Sequence, residues 1–131
     1  MKKIGILNQP ISSVIAGLGH ADTLVVADAG LPIPQGTQRI DLALVEGIPG
    51  FLDTLRAVLT EMEVERAIVA EEMLEANPGV YEAIRSLLRD VPLETVPHSA
   101  LKERACSARA VIRTGEFTPY ANVILVAGVV F

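Results

Sequence analysis

Short apolar runs alternate along the chain with longer stretches in which apolar residues recur at helical spacing. Consecutive apolar residues, many of them β-branched, predict strands buried on both faces of a sheet. Such runs cover residues 23–27, 67–70, 93–96, 110–113 and 123–131, and residues 39–44 alternate polar and apolar as a half-buried strand does. Helical periodicity predicts helices over residues 11–18, 51–62, 77–89 and 97–105.

Strands and helices therefore alternate over most of the length, and no linker rich in proline, glycine or serine divides them. This order is typical of α/β proteins. The sequence predicts a single domain spanning residues 1–131, with a mainly parallel central sheet, helices on both faces and room for an antiparallel strand at an edge.

Composition adds an expectation about assembly. Half of the 131 residues are hydrophobic and only 4% are aromatic, so the core should consist of Val, Ile, Leu and Ala. This apolar share is high for a chain of this length and predicts buried subunit interfaces, hence a homo-oligomer. The apolar C-terminal run is expected to pack into the sheet or against a neighbouring copy.

Charge and cysteine content exclude several classes of protein. The net charge is −5 and no basic patch with interleaved aromatics occurs, so nucleic acid is not an expected partner. No apolar run is long enough for a membrane span or a signal peptide, and the cytoplasm is the expected location. The single cysteine, Cys106, excludes an internal disulfide and a thiolate metal cluster; we expect it to be a buried small residue.

The candidate chemistry lies at predicted strand ends and helix starts, where α/β sheets gather their ligand sites. The candidates are His20, Asp28, His98, Lys102, Tyr120 and Asn122. His20 and Asp28 flank the strand 23–27, and a straight strand would hold them far apart. They can share a pocket within one chain only if Gly19 and Gly30 bend the flanking segments back.

Other motifs are absent or carry less weight. Residues 17–22 imitate the start of a dinucleotide-binding glycine loop, but they follow a helix and precede a strand, the reverse of the required order. No P-loop, GxSxG elbow or HExxH spacing occurs, and no metal or cofactor is expected. The adjacent Glu71 and Glu72 are interpreted as acidic residues of a helix's first turn. The remaining interpretation is a metal-free polar pocket for a small polyhydroxylated ligand, with histidine available for proton transfer.

Two long segments match a known family. They contain Asn8, Ile11-Ser12, Leu18-Gly19-His20, Asp22 and residues 28–34 near the N-terminus, and Gly115-Glu116, residues 118–122 and the final apolar run near the C-terminus. Because of these two segments, the chain resembles the RbsD/FucU family of sugar mutarotases. The resemblance extends over essentially the whole chain, and it is stronger to the ribose branch than to the fucose branch. Residues 71–107 match more loosely.

The resemblance implies interconversion of the pyranose and furanose rings of D-ribose, feeding phosphorylation and catabolism, with no cofactor. His20 matches the family's proton donor. The positions matching its sugar-binding residues are Asp28, His98, Tyr120 and Asn122, with Lys102 as an addition. It also implies a homo-oligomer, often a decamer of two pentameric rings, with pockets shared by neighbouring subunits. Our hypothesis is that Asp28 fixes the His20 tautomer or holds a sugar hydroxyl.

Two other functions use the same residues or the same fold class. A non-catalytic monosaccharide-binding subunit, serving transport or regulation, would need the same polar pocket. A nucleotide-binding regulatory domain would need a glycine loop after a strand, which the sequence lacks. The first alternative differs from an enzyme in one observable: a binder shifts ring-form populations only stoichiometrically, whereas a catalyst accelerates exchange at trace concentration.

Overall fold

The computed structural model describes residues 1–131, which form one six-stranded sheet and five helices. The strands are β1 (Thr23–Ala27), β2 (Gln38–Asp41), β3 (Val64–Ala70), β4 (Leu93–Val96), β5 (Ala110–Arg113) and β6 (Val123–Ala127). The helices are α1 (Gln9–Gly17), α2 (Phe51–Leu59), α3 (Met73–Ala76), α4 (Pro78–Leu88) and α5 (His98–Ala105). Every element expected from the sequence is present, and the one-turn helix α3 is additional.

The strand order is β2-β5-β1-β6-β3-β4, and β6 pairs antiparallel with both of its neighbours. The mainly parallel α/β architecture is confirmed, but the antiparallel strand is internal rather than at an edge. The apolar character of β6 explains why it lies inside the sheet. All five of its residues are buried, and an apolar strand exposed at the side of a sheet would promote aggregation. The polar strand β2, in which only Ile40 is buried, occupies an edge instead.

Each face of the sheet has its own apolar core. Leu24 and Val26 point to one face, where they join buried residues of α1, α2 and α4. Val25 points to the opposite face, where it packs with Leu101 and Ala105 of α5. Helices therefore cover both faces, as expected, and β1 is apolar throughout because neither of its faces meets water.

Two strands are shorter than the sequence suggests. β2 ends at Asp41 rather than at residue 44, and β6 ends at Ala127 rather than at the last residue. Val130 and Phe131 are 85% and 101% exposed, so the C-terminal tail does not pack into its own sheet. Packing of this tail against a neighbouring copy stays a prediction.

The expectation that Cys106 is buried is wrong. Leu101 and Ala105 form the buried face of α5, and Cys106, directly after the helix, lies outside that face and is exposed. Its Sγ contacts the carbonyl oxygen of Lys102 at 3.3 Å. None of the five helices has both the length and the apolar character that crossing a membrane requires.

The opposite direction of β6 decides which chain segments meet. The carboxyl ends of the five parallel strands lie at one edge of the sheet, together with the beginning of β6. We call this end of the strands the carboxyl edge. The opposite end, where β1 and β3 begin and β6 ends, is called the amino edge; both differ from the sides of the sheet, which are formed by β2 and β4.

Candidate functional site

Asp28 and Asn122 form the centre of the carboxyl edge. Asn122, which is fully buried, donates from Nδ2 to Oδ2 of Asp28 at 2.8 Å and accepts the Asp28 backbone N–H at 2.9 Å. The backbone N–H of Gly30 donates to the other carboxylate oxygen at 2.9 Å. Two donors, one in the turn after β1 and one just before β6, thus hold the half-buried carboxylate in one orientation, with remaining lone pairs to accept from a ligand.

Tyr120 and His98 lie against each other at the same edge. Their rings meet edge to face, with centroids 5.1 Å apart and planes at 82°. Tyr120 has φ of 57°, a left-handed conformation that costs on the order of 1 kcal/mol in a non-glycine residue and is concentrated at functional sites. Nδ1 of His98 is buried and has no hydrogen-bond partner. An unsatisfied buried nitrogen of this kind can be satisfied by a bound ligand.

Glu72 fixes the position of His98. Both of its carboxylate oxygens accept the backbone N–H of His98, at 2.9 and 3.1 Å, where α5 begins. A carboxylate at a helix N-terminus satisfies a donor without an intrahelical partner and interacts favourably with the helix dipole. The expectation that Glu71 and Glu72 belong to a helix's first turn is wrong, because both precede α3. The role of Glu72 is structural all the same: its carboxylate binds the first N–H of α5.

The loop of residues 114–122 is tied down at several points. Thr114 donates from Oγ1 to the carbonyl of Ala27 at 2.7 Å, and Oε1 of Glu116 accepts the N–H of Phe51 at the start of α2. Asn77 donates to Oγ1 of Thr118 at 2.9 Å. These bonds attach the loop to β1, α2 and α4, so Tyr120 and Asn122 are held by rigid elements.

Gly115 makes the closest backbone approach in this loop, and its replacement gives a stability prediction. A Cβ atom there would lie 2.6 Å from the carbonyl oxygens of Val45 and Ile48. Because backbone atoms cannot move aside cheaply, Gly115→Ala should lower the free energy of unfolding by about 1–3 kcal/mol, measured by urea denaturation. Gly36→Ala is the control, because nothing lies within 4 Å of the added atom. Equal stability of the two variants would contradict this account.

A cavity of about 380 Å³ opens beside Asp28, within the range of small-molecule sites. Its lining consists of Asp28, Ala29, Gly30, Arg113, Glu116, Phe117, Thr118 and Pro119. His98, Lys102, Tyr120 and Asn122 are not part of this lining; His98, Tyr120 and Asn122 lie beside the cavity at the same edge. Lys102 is exposed, one turn after His98 on α5.

Arg113 is the cationic residue of the cavity, and it is not among the site residues predicted from the sequence. Its Nε donates to the Ala29 carbonyl at 3.0 Å and its Nη1 to both carboxylate oxygens of Asp41 at 3.1 Å. Partial burial raises the pKa of Asp41, but the Ala43 N–H and the Arg113 guanidinium outweigh it and hold that pKa below its usual value. As the last residue of an otherwise apolar strand, Arg113 carried no motif that could single it out.

His20 lies at the opposite, amino edge. It precedes β1, whereas Asp28 follows it, so about 16 Å of strand separates them at roughly 3.3 Å per residue. The chain does not bend back at Gly19 and Gly30, and one chain alone does not bring His20 to Asp28. The His20 side chain is 61% exposed, and its Nε2 lies 2.9 Å from Oε2 of Glu65.

The turn carrying His20 is fixed by Asp22. One carboxylate oxygen accepts the Gly19 N–H at 2.8 Å and the other meets Nε of Arg109 at 3.1 Å. The Gly19 N–H first, and then Arg109, lower the pKa of Asp22. Because folding lowers the pKa of Asp22, its ionised carboxylate stabilises the folded state above a pH of about 4, and this stabilisation is lost as the pH falls further. Nowhere do three His, Cys, Asp or Glu side chains come together in a way that could hold a metal ion.

The fold and the carboxyl edge define an α/β protein with a small, polar, hydrogen-bonded candidate site. The candidate histidine, His20, lies at the opposite edge. A family model described as the RbsD / FucU transport protein family matches residues 1–130. The chain belongs to this family.

Named relatives and solved structures match the chain along its length. A protein of Laribacter hongkongensis named D-ribose pyranase is 58% identical over 131 residues, and one of Symbiobacterium thermophilum with the same name is 56% identical, each pair covering 100% of both chains. Bacillus subtilis RbsD complexed with D-ribose matches at a TM-score of 0.97 and 47% identity, with 100% of both chains covered. FucU from Bifidobacterium longum matches at 0.79 and 26% identity, covering 95% of this chain and 97% of the other.

Proposed function

We propose that the chain is an enzyme, an intramolecular isomerase that interconverts the pyranose and furanose forms of D-ribose. The observation that carries the proposal is the likeness of the whole chain to proteins named D-ribose pyranase, at up to 58% identity with full coverage. The TM-score of 0.97 against an RbsD structure complexed with D-ribose supports the same substrate. The polar carboxyl edge offers the donors and acceptors that a sugar with several hydroxyls requires.

The proposed reaction breaks one C–O bond, forms another and moves a proton to or from oxygen at each stage. The anomeric hydroxyl of the pyranose loses its proton, the bond between C1 and the ring oxygen breaks, and that oxygen gains a proton, giving the open-chain aldehyde. Closure then forms a bond from the C4 hydroxyl oxygen to C1; this hydroxyl loses its proton and the carbonyl oxygen gains one. No oxidation state changes, so no redox cofactor takes part.

His20 is the proposed donor and acceptor of these protons, because imidazole exchanges protons near neutral pH. Asp28 and Asn122 are proposed to hold sugar hydroxyls, which fits the fixed orientation of the Asp28 carboxylate. The unsatisfied Nδ1 of His98 and the adjacent Tyr120 ring supply further contacts. Lys102, exposed on the same helix, is proposed as an additional contact.

These roles need a second copy, since His20 and Asp28 lie at opposite edges of one chain. We propose that each pocket joins the amino edge of one subunit to the carboxyl edge of the next, in a homodecamer of two pentameric rings. A contact between two different edges is head-to-tail, which is the kind that closes rings. Exposed apolar side chains lie near both edges: Val130 and Phe131 follow the amino edge, and Ile48 and Phe117 lie near the carboxyl edge. The cytoplasm is the proposed location.

The experiment that tests the function measures exchange between ribose ring forms by NMR saturation transfer. Trace protein added to excess D-ribose should accelerate exchange between pyranose and furanose signals without changing their equilibrium ratio, because a catalyst lowers both barriers equally. L-Fucose in the same assay tests the preference for ribose. Unchanged exchange rates at any trace concentration would contradict the proposed activity.

A non-catalytic monosaccharide-binding subunit is the second candidate, and the description of the matching family as a transport protein family favours it. Such a subunit would change the populations of ring forms in proportion to the protein added, and only near stoichiometric amounts. The saturation-transfer experiment therefore separates the two functions in a single titration.

A further inference from the structure

Glu65 is the acidic residue that contacts the His20 ring. The atoms His20 Nε2 and Glu65 Oε2 lie 2.9 Å apart, across the end of β6. An ionised carboxylate can only accept a hydrogen bond, so Nε2 must carry the hydrogen. The lone pair of the neutral imidazole then resides on Nδ1.

The backbone of β3 is irregular at this residue. Val64 faces Ala127 of β6 and Arg66 faces Val126, so β3 advances two residues while β6 advances one. Glu65 is thus the extra residue of a β-bulge, a feature that redirects side chains and is common beside active sites. Glu65 and Arg66 are both exposed, whereas the following four residues of β3 are buried.

The residue that directly follows β6 leaves room for Glu65. Gly128 lies opposite the bulge, and a Cβ atom there would stand 3.2 Å from the Glu65 Cβ. A side chain at residue 128 would therefore crowd the stem of Glu65. The other charged groups nearby do not compete for the ring: Asp22 is bonded to Gly19 and paired with Arg109, and the stem of Glu63 lies beside Gly128.

From the contact, the bulge and the facing glycine, we propose that Glu65 is a positioning residue that holds His20 in the Nε2–H tautomer and directs Nδ1 toward the sugar. This rests on the proposed function and deepens it. It also reassigns the tautomer-fixing role that the sequence analysis gave to Asp28, whose carboxylate is engaged by Asn122 and Gly30 at the other edge. Nδ1, which carries no hydrogen in this tautomer, is then the atom that takes the proton of the anomeric hydroxyl and passes it to the ring oxygen.

The test compares Glu65→Gln with Glu63→Gln, two single-charge changes at neighbouring exposed positions of the assembled protein. Glutamine can donate as well as accept, so Glu65→Gln should mix the tautomers. Exchange at saturating ribose should fall about 10- to 100-fold, with the ribose concentration at half-maximal rate unchanged because Glu65 does not touch the sugar. Glu63→Gln should match the wild type.

Nitrogen-15 spectra of histidine-labelled protein report the tautomer without any need for activity. The chain has only two histidines, so the spectrum of His20→Ala assigns both. A wild-type Nε2–H pattern at His20 that becomes mixed in Glu65→Gln supports the proposal. An unchanged tautomer, or an unchanged exchange rate, in Glu65→Gln overturns it. If the wild type itself fails to accelerate exchange, the proposed function fails instead, while the tautomer comparison still stands.

Discussion

His20→Ala should lower the rate of ring-form exchange by about 10²–10⁴-fold, the usual contribution of a positioned general acid–base. The His20 side chain is 61% exposed and its hydrogen bond is to the exposed Glu65, so folding should survive the change. Saturation transfer measures the rate, and circular dichroism and the unfolding temperature check the fold. Glu63→Gln, at the same edge, is the matched control. Full exchange in His20→Ala would show that another group moves the proton.

The same variant tests whether pockets are shared between subunits. In the proposed ring, each pocket takes His20 from one subunit and Asp28 from the next. When His20→Ala and Asp28→Asn are co-expressed and mix at random, half of the subunits carry each intact residue, so about one quarter of the pockets contain both. Exchange should therefore return to about a quarter of the wild-type rate, although each variant alone is nearly inactive. Light scattering checks that both variants assemble. Mixed oligomers without any recovered rate would contradict the shared pocket.

Asn122→Asp should be the most destabilising isosteric change at the carboxyl edge. It replaces the amide that donates to Asp28 at 2.8 Å by a second carboxylate, fully buried and without a cation. An uncompensated buried charge costs about 3 kcal/mol or more, and the facing carboxylates repel each other. Urea denaturation at pH 7 measures the loss in the free energy of unfolding.

The pH dependence of this variant separates charge from packing. Two facing carboxylates have a raised pKa in the folded state, so the penalty is present at neutral pH and is lost as the pH falls from that raised pKa to the usual Asp value of about 4, because the pair then shares a proton. Asn8→Asp is the control, because Asn8 caps α1 by accepting the Ile11 N–H and a carboxylate caps equally well. A penalty for Asn122→Asp that is the same at pH 4 and pH 7 would contradict the electrostatic explanation.

The positions of the elements followed from the sequence, because periodicity reflects burial. The run 23–27 is apolar at every position, and β1 is buried on both faces. Phe51, Leu55 and Val58 share one face of α2 and are all buried. Element ends were less predictable: the apolar pattern continues to Phe131, but β6 pairs with its neighbours only as far as Ala127. Burial of Cys106 was wrongly expected because residue type alone does not give the orientation of a helix.

The candidate site could be predicted only in part. Asp28, His98 and Asn122 were identifiable because polar residues directly beside apolar strands mark sheet edges. Arg113 and Glu65 were not identifiable, because each lies within a strand and contacts a residue distant in sequence. Arg113 pairs with Asp41, and Glu65 pairs with His20.

The α/β class, the number of strands and the residue types available for proton transfer and sugar binding are predictable from the amino-acid sequence, because they depend on local periodicity and composition. The antiparallel direction of β6 inside the sheet, which brings Asn122 to Asp28 across 94 positions, is visible only in the folded chain. So is the position of His20 at the opposite edge, where it pairs with Glu65. Strand order and direction arise from packing between distant segments, and no local pattern encodes them.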